Sequence, residues 1–348
     1  MVANRWWPVV VSMLAGVAAA GTVAVPAEAS EYGVTPLGGP NGSQALAVGT
    51  SGVVVGCDVI RDGLGDQEAV TWSNGVETNL ATGPLAPLRP YQSCATSINS
   101  HGVVAGSYTD LEFDSEGFII DAGKATELPL GGVLGINDDD QAVGILDSSQ
   151  HAYIWTDGTY QDLGTLGGSE SMATATYAHN QAVGWAELAS GAGRAFLYQN
   201  GHMRNLGVLP GGLSSTAWDV NGSTGVVGAV ELPTRTGGGY DRAFLWRAGK
   251  GMIDLGTLGG QGSYATTINN AGTVAGRAQT KSGAWHLFLW TASGGMVDLN
   301  RLASITTSQM SGVPNATGIN WRNNVTAVWE DPTAGNVERG YLIAPNLS

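Results

Sequence analysis

The chain has 348 residues, a formal charge of −14 and only 15 Lys and Arg. A phosphate backbone needs clustered basic side chains, so nucleic-acid binding is excluded as a function, and an anionic membrane surface is disfavoured for the same reason. With 53 Gly, 13% charged residues and plentiful Val, Thr and Trp, the composition points to many short strands joined by tight turns.

Residues 1–29 read as an export signal. Arg5 is the positive flank, Trp6 to Ala20 is mostly apolar, and Ala27, Glu28 and Ala29 form a small-x-small cleavage site, so cleavage after Ala29 is expected. The apolar run is short and broken by Pro8, which favours a cleaved signal over a membrane anchor; no other stretch is long and apolar enough to span a bilayer. The mature chain, 30–348, is therefore expected to be secreted, extracellular and monomeric, with an acidic surface that keeps it soluble. Cys57 and Cys94 are the only cysteines, and export makes a disulfide between them the expected state.

Internal repetition decides the fold. Four short segments recur in one order. Strand 1 is rich in small residues and closes on Asn99, Asn137, Asn221, Asn269 and Asn320, with Gly49 and Tyr177 at the two remaining positions. Seven residues later, strand 2 is expected to end at Gly56, Gly106, Gly144, Gly184, Gly228 and Gly276, with Ala327 in the last repeat. Between them stand Gly52, Gly102, Asp140, Asn180, Thr224, Gly272 and Asn323 at a turn position that needs positive φ; for Thr224, the neighbouring Gly225 is expected to take it.

Strand 3 reads EAVTW, EGFII, HAYIW, RAFLY, RAFLW, HLFLW and RGYLI. Both of its faces are apolar, so both must be covered, which a sheet stacked between two neighbours achieves. Asn74-Gly75, Asp157-Gly158 and Asn200-Gly201 mark the hairpin to strand 4, with Gly123, Gly249 and Gly294 at the same turn elsewhere. There are seven sets of strands 1 to 3 but only six following strand 4 segments; YGVTPLGG, from Tyr32, aligns with IDLGTLGG, from Ile253, and can supply the missing one.

The expected fold is all-β: a single seven-bladed β-propeller of four-stranded antiparallel blades, closed by the N-terminal strand completing the last blade. The repeats run over about 40–85, 86–130, 131–163, 164–206, 207–255, 256–299 and 300–345, with 31–39 as the outer strand of the last blade. Length variation concentrates between strands 2 and 3, over Asp58–Gln67, Ser107–Ser115, Ala229–Asp241 and Val328–Glu338. Variable loops on a rigid scaffold carry binding, so that face is the candidate functional one.

The repeated words HAYIW, RAFLW, MIDLGTLGG and YATTINNAGTVAG resemble the repeat of the extracellular HAF family of bacterial proteins, across essentially the whole mature chain. The resemblance implies secretion and a repetitive β architecture, and brings no catalytic residue with it. VTW and GFII, in the first two repeats, depart most from the signature strand.

No catalytic constellation stands out. His151 with Asp162, Arg242 with Asp254, His286 with Asp298 and Arg194 with Asn205 become neighbours across the strand 3–4 hairpin, while Glu68 with Asn79 and Glu116 with Glu127 break the pattern. Because Arg replaces His in the same place, the common denominator is a cross-strand charge pair rather than part of a triad. Zinc spacing is absent, and Asp110, Glu112, Asp114 and Glu116 resemble the start of a calcium loop but have Ser115 where Gly is required, so no metal and no cofactor is expected. Trp185, Trp285 and Trp329, in or beside the variable loops, are the candidate ligand-face aromatics. The expected function is a non-catalytic scaffold binding an extracellular protein or carbohydrate; the alternatives are a propeller-fold polysaccharide lyase or hydrolase, or a purely structural cell-surface component.

Overall fold

A computed structural model describes residues 31–39, 41–59, 66–110, 112, 115–128, 131–234, 238–306 and 308–346. The expected export signal, 1–29, lies outside the described residues. The described chain forms seven four-stranded antiparallel sheets in one ring, and its only α-helix is the four-residue turn Leu299–Leu302. Blades are numbered one to seven in chain order. Their first strands are Ser43–Val48, Gln92–Ile98, Val133–Ile136, Gly167–Tyr177, Ser214–Val220, Gly259–Ile268 and Ser311–Ile319. Each first strand neighbours the next around the ring, blade seven returning to blade one, so these strands are innermost. The closing strand is Tyr32–Leu37, which pairs antiparallel with Val337–Pro345, from Tyr32 opposite Pro345 to Leu37 opposite Gly340.

The apolar core lies between blades, as the two-faced strand 3 requires. Phe244 and Trp246 pack with residues of blade four, whereas Ala243 and Leu245 pack with Ala265, Val274 and Phe288 of blade six. Phe118, Tyr153, Phe196, Phe244 and Phe288, at one repeated position, are all fully buried.

Polar groups then fix each blade against the next. The buried Asn at the end of strand 1 donates from Nδ2 to a carbonyl of the following blade: Asn99 to Asn137, Asn137 to Tyr177, Asn221 to Asn269 and Asn269 to Asn320, each at 3.0 Å, and Asn320 to Gly49 at 3.1 Å. Its Oδ1 accepts from backbone N–H groups of its own turn, as Asn221 does from Ser223 and Gly225. All seven turns place positive φ at the same position, from 54° at Thr224 to 88° at Gly52. Contrary to expectation, Thr224 takes it itself and Gly225 does not.

A second set of bonds runs nearer the opposite face. The strand 3 N–H groups of Ala69, Ala152, Ala195, Ala243 and Gly340 donate to buried serine hydroxyls that open the next blade's strand 1: Ser93, Ser171, Ser215, Ser263 and Ser43. In blade six Asn300 replaces the serine as acceptor for Leu287. Asp219 adds a further link, its Oδ2 accepting from Thr267 and Ile268 of blade six.

Strand 2 does not end at its repeated Gly, which lies in its interior; in blade five, for instance, the strand spans Val226–Pro233 around Gly228. Strand 1 bulges opposite this position in every blade, as between Ala217 and Asp219. The bulge brings a strand 1 carbonyl so close that a Cβ on Gly56, Gly106, Gly144, Gly184, Gly228 or Gly276 would stand only 1.8 to 2.2 Å from it. Cys57 and Cys94 are bonded, with Cα atoms 4.8 Å apart, joining the second strand of blade one to the first of blade two.

Three stability measurements follow from these links. Asn269→Ala removes one inter-blade donor and strips an acceptor from a buried turn, and is expected to cost about 2 kcal/mol in urea unfolding. The pair of changes Cys57→Ala and Cys94→Ala opens a loop spanning a sequence separation of 37 residues, for an expected loss of about 4 kcal/mol in the chain-entropy account. Burial raises both Asp219 and Asp58 to about 6 from 3.8. A carboxyl whose folded pKa is raised holds its proton more tightly folded than unfolded, so stability present below about pH 4 is lost as pH rises to about 6. Asp219→Asn, which keeps an acceptor oxygen, is expected to flatten that decline in urea titrations across the window.

Candidate functional site

The ring has two faces. One carries the turns between strands 1 and 2 and between 3 and 4. The other, the loop face, carries the 2–3 loops and the connections between blades. Part of the expected variable loops is regular structure: Ala229–Asp241 contains the end of Val226–Pro233 and the beginning of Gly239–Arg247, joined by residues 234–238.

The three tryptophans expected on the loop face do not come together. Trp329 is buried, stacked on Tyr341 at 3.6 Å and 4°, and donates to the Gln309 carbonyl; it caps its own blade. Trp185 packs on Gly193 of its own blade, where any Cβ would lie 1.9 Å from the indole nitrogen. Trp285 alone belongs to a polar cluster, with its ring over Gly262.

That cluster spans blades five to seven. Tyr264, on strand 1 of blade six, pairs with Arg277 on strand 2. The Arg277 guanidinium lies 4.7 Å from the Tyr264 ring centroid and 5.8 Å from that of Trp285, and donates 3.0 Å to Asn315 Oδ1 of blade seven. Trp218 of blade five meets Tyr264 at 6.0 Å between ring centroids and 41° between planes. Asp241, opening strand 3 of blade five, completes the set.

Burial dominates the electrostatics. It lowers the pKa of Arg277 and raises that of Tyr264 well above the usual phenol value. It also raises Asp241, with Arg277 opposing that shift and the exposed Glu231 reinforcing it. Asp241 and Arg277 thus sense each other, yet no ion pair joins them among the described residues. An arginine clamped between two aromatic rings and a neighbouring carboxylate can hold a hydroxyl-bearing or peptide ligand.

The position of Arg277 has a structural counterpart. The residue just after the strand 2 glycine lies across from the strand 1 residue that precedes the glycine's own partner, as Arg277 does from Tyr264 and Cys57 from Gln44, and at two seams it contacts the equivalent strand 1 residue of the next blade. In blades one and two this contact is the Cys57–Cys94 disulfide; in blades six and seven it is the Arg277–Asn315 hydrogen bond. Trp218, Tyr264, Arg277 and Asp241 were not singled out in the sequence. The signal that could have found them is the variation at this one site, which reads Cys57, Ser107, Ile145, Trp185, Ala229, Arg277 and Val328 beside a neighbour that is glycine in six blades and Ala327 in the seventh.

The hairpin pairs are structural. His151 Nδ1 meets Asp162 at 3.0 Å, Arg242 meets Asp254 at 3.3 Å and His286 meets Asp298 at 2.8 Å, each along the outer wall of its own blade. Arg194 departs from expectation: it donates to the carbonyls of Gly193 and Leu213, while Asn205 accepts from Gly207. Asn79 donates to Glu68 across the hairpin, so this pair is in contact but, as expected, lacks the opposite charges of the others. Of the acidic run, Asp114 lies outside the described residues and Asp110 accepts from the Glu112 N–H. No grouping of His, Cys, Asp and Glu with metal-binding geometry occurs among the described residues.

Two cavities lie elsewhere. One of about 300 Å³ at blade seven is walled by the Trp329–Tyr341 stack; burial pushes the Asp331 carboxyl there up, but its hydrogen bonds to Thr333, Tyr341 and Arg339 together hold it below its usual value. The other, of about 190 Å³, lies between the outer strands of blades four and five, with Arg204 5.2 Å over the Trp246 ring.

Neither a family model nor a curated relative matches the chain in sequence. Among solved structures it is similar to the β-propeller domain of the Trilobed protease from Pyrococcus furiosus, described as having an open velcro topology, with TM-score 0.55 and 11% identity over 86% of this chain and 93% of that one. It is also similar to a streptogramin B lyase, at TM-score 0.44 and 14% identity over 90% and 98%. The BP39L lectin from Burkholderia pseudomallei gives TM-score 0.43 and 9% identity over 89% and 98%. At these identities the likeness is one of fold.

Proposed function

We propose that this protein is a secreted, non-catalytic repeat propeller of the HAF kind, released after Ala29, that binds an extracellular protein or glycan through its loop face. The observation that carries this reading is the cluster of Trp218, Tyr264, Arg277 and Trp285 beside Asp241. The repeated Asn and Ser side chains bond from blade to blade, whereas here a desolvated cation and carboxylate influence each other with no ion pair among the described residues. Such groups are held in place ahead of any partner, which lowers the ordering cost of binding.

The second reading, a polysaccharide lyase or hydrolase, draws on the same cluster, because a carboxylate with a raised pKa beside a tyrosine and an arginine is general acid–base material. Against it, Tyr264 is shifted away from the ionised form a base would need. The two readings separate in one experiment on the mature protein, using a panel of purified extracellular polysaccharides and surface-layer proteins. Binding is expected to weaken at least tenfold in Trp285→Ala, a loss of about 1.4 kcal/mol. It should be unchanged in Trp321→Ala, which alters the 58% exposed tryptophan on the opposite face. No new reducing ends or unsaturated products should form. Cleavage that disappears in Asp241→Asn would overturn the non-catalytic reading, and binding lost only in Trp321→Ala would overturn the choice of face.

A further inference from the structure

Arg277 is partly buried and has five N–H donors to place. Asn315 takes one, and none of the guanidinium nitrogens is both buried and unpaired, so the donors without a partner keep some exposure beside the Tyr264 and Trp285 rings. Asp241 lies on the strand 3 face that Ala243 and Leu245 turn toward blade six, opposite Glu231, and it is the electrostatic neighbour of Arg277 with no ion pair between them among the described residues. Trp218 Nε1 is buried with no partner of full hydrogen-bond geometry; it only leans on the Tyr264 phenol.

We infer that the gap between Arg277 and Asp241 is a subsite for a neutral saccharide unit, whose adjacent hydroxyls bridge the guanidinium and the carboxylate while its C–H face lies on Trp285. This rests on the loop-face reading above and names the ligand class. A hydroxyl is the group that fits both sides, since it accepts from Arg277 and donates to Asp241 at once. Two neighbouring hydroxyls can serve both charged groups without either losing its partner. The aromatic wall supplies apolar contact for the face of a ring that carries no hydroxyls.

Charge selects against acidic sugars. A uronate or sialate carboxylate would satisfy Arg277 but would then face Asp241 and Glu231, which already repel each other enough to help raise the Asp241 pKa. The chain as a whole adds a formal charge of −14. A like charge brought into a desolvated site is unfavourable.

The test uses an array of glucose-, galactose-, mannose- and fucose-terminated glycans beside uronate- and sialate-terminated ones, followed by calorimetry on the tightest neutral ligand. Neutral glycans are expected to bind. Arg277→Met, which keeps the buried stem, and Asp241→Asn, which keeps the shape, should each weaken binding at least tenfold. Thermal melts check that both variants fold, and the partly exposed position of Asp241 keeps the test informative if Arg277→Met does not. Neutral-glycan binding indifferent to both changes overturns the subsite. Trp285-dependent binding confined to acidic glycans, or to a protein, overturns the ligand class and leaves the face standing. Failure of every glycan to bind overturns the inference, while the loop-face reading then stands or falls on the protein panel.

Discussion

Closure of the ring depends on an asparagine that performs two tasks with one amide. Its oxygen accepts from N–H groups of its own turn, which fixes the turn; its nitrogen reaches a carbonyl of the next blade, which fixes the neighbour. Because the amide is planar, the two tasks are geometrically coupled, and the turn cannot tilt without breaking the link. Five of the seven blades carry this residue. At the two gaps other contacts substitute: the Thr50 hydroxyl reaches the Ser100 carbonyl beyond Gly49, and the Tyr177 ring lies over Gly222 of the next blade.

The bulge in strand 1 follows from the same demand. By adding a residue to the inner strand, it turns a threonine hydroxyl toward the next blade, as Thr96 does to Val133 and Thr174 to Ala217. The same distortion drives a carbonyl into the space above strand 2, which then has room only for glycine. Blade seven shows the limit of the rule, since Ala327 occupies that place opposite Ala316. The repeated Asn, Gly and Ser are thus consequences of one packing problem solved around a circle.

Much of this was legible in the sequence because turn residues and strand period are local signals. The blade count, the strand order and the closure by Tyr32–Leu37 needed only the repeat and the missing seventh strand 4. The asparagine could be read as a turn residue but not as a link, because its partner carbonyl lies about 40 to 50 residues away in sequence. Thr224 adopts positive φ because the inter-blade bond of Asn221 holds the turn in the common shape, overriding the preference of the side chain. Trp329 was a candidate ligand-face aromatic, since a sequence cannot show that Tyr341, on the paired strand two residues beyond Arg339, would stack on it.

The candidate site was hidden for a different reason: Tyr264 and Arg277 sit within the most regular repeat of the chain, where every neighbour obeys the rule. Their position is free to vary because the asparagine and serine bonds already hold adjacent blades together on either side of it. At that position one seam carries a disulfide and another an arginine held between aromatic rings, on the same backbone geometry. A ring held by its constant residues can therefore exchange a disulfide for an arginine held between aromatic rings at a single blade seam without disturbing closure. Chemical variety in this architecture thus enters at the seams, where constant and variable residues alternate, as well as through the length of the loops.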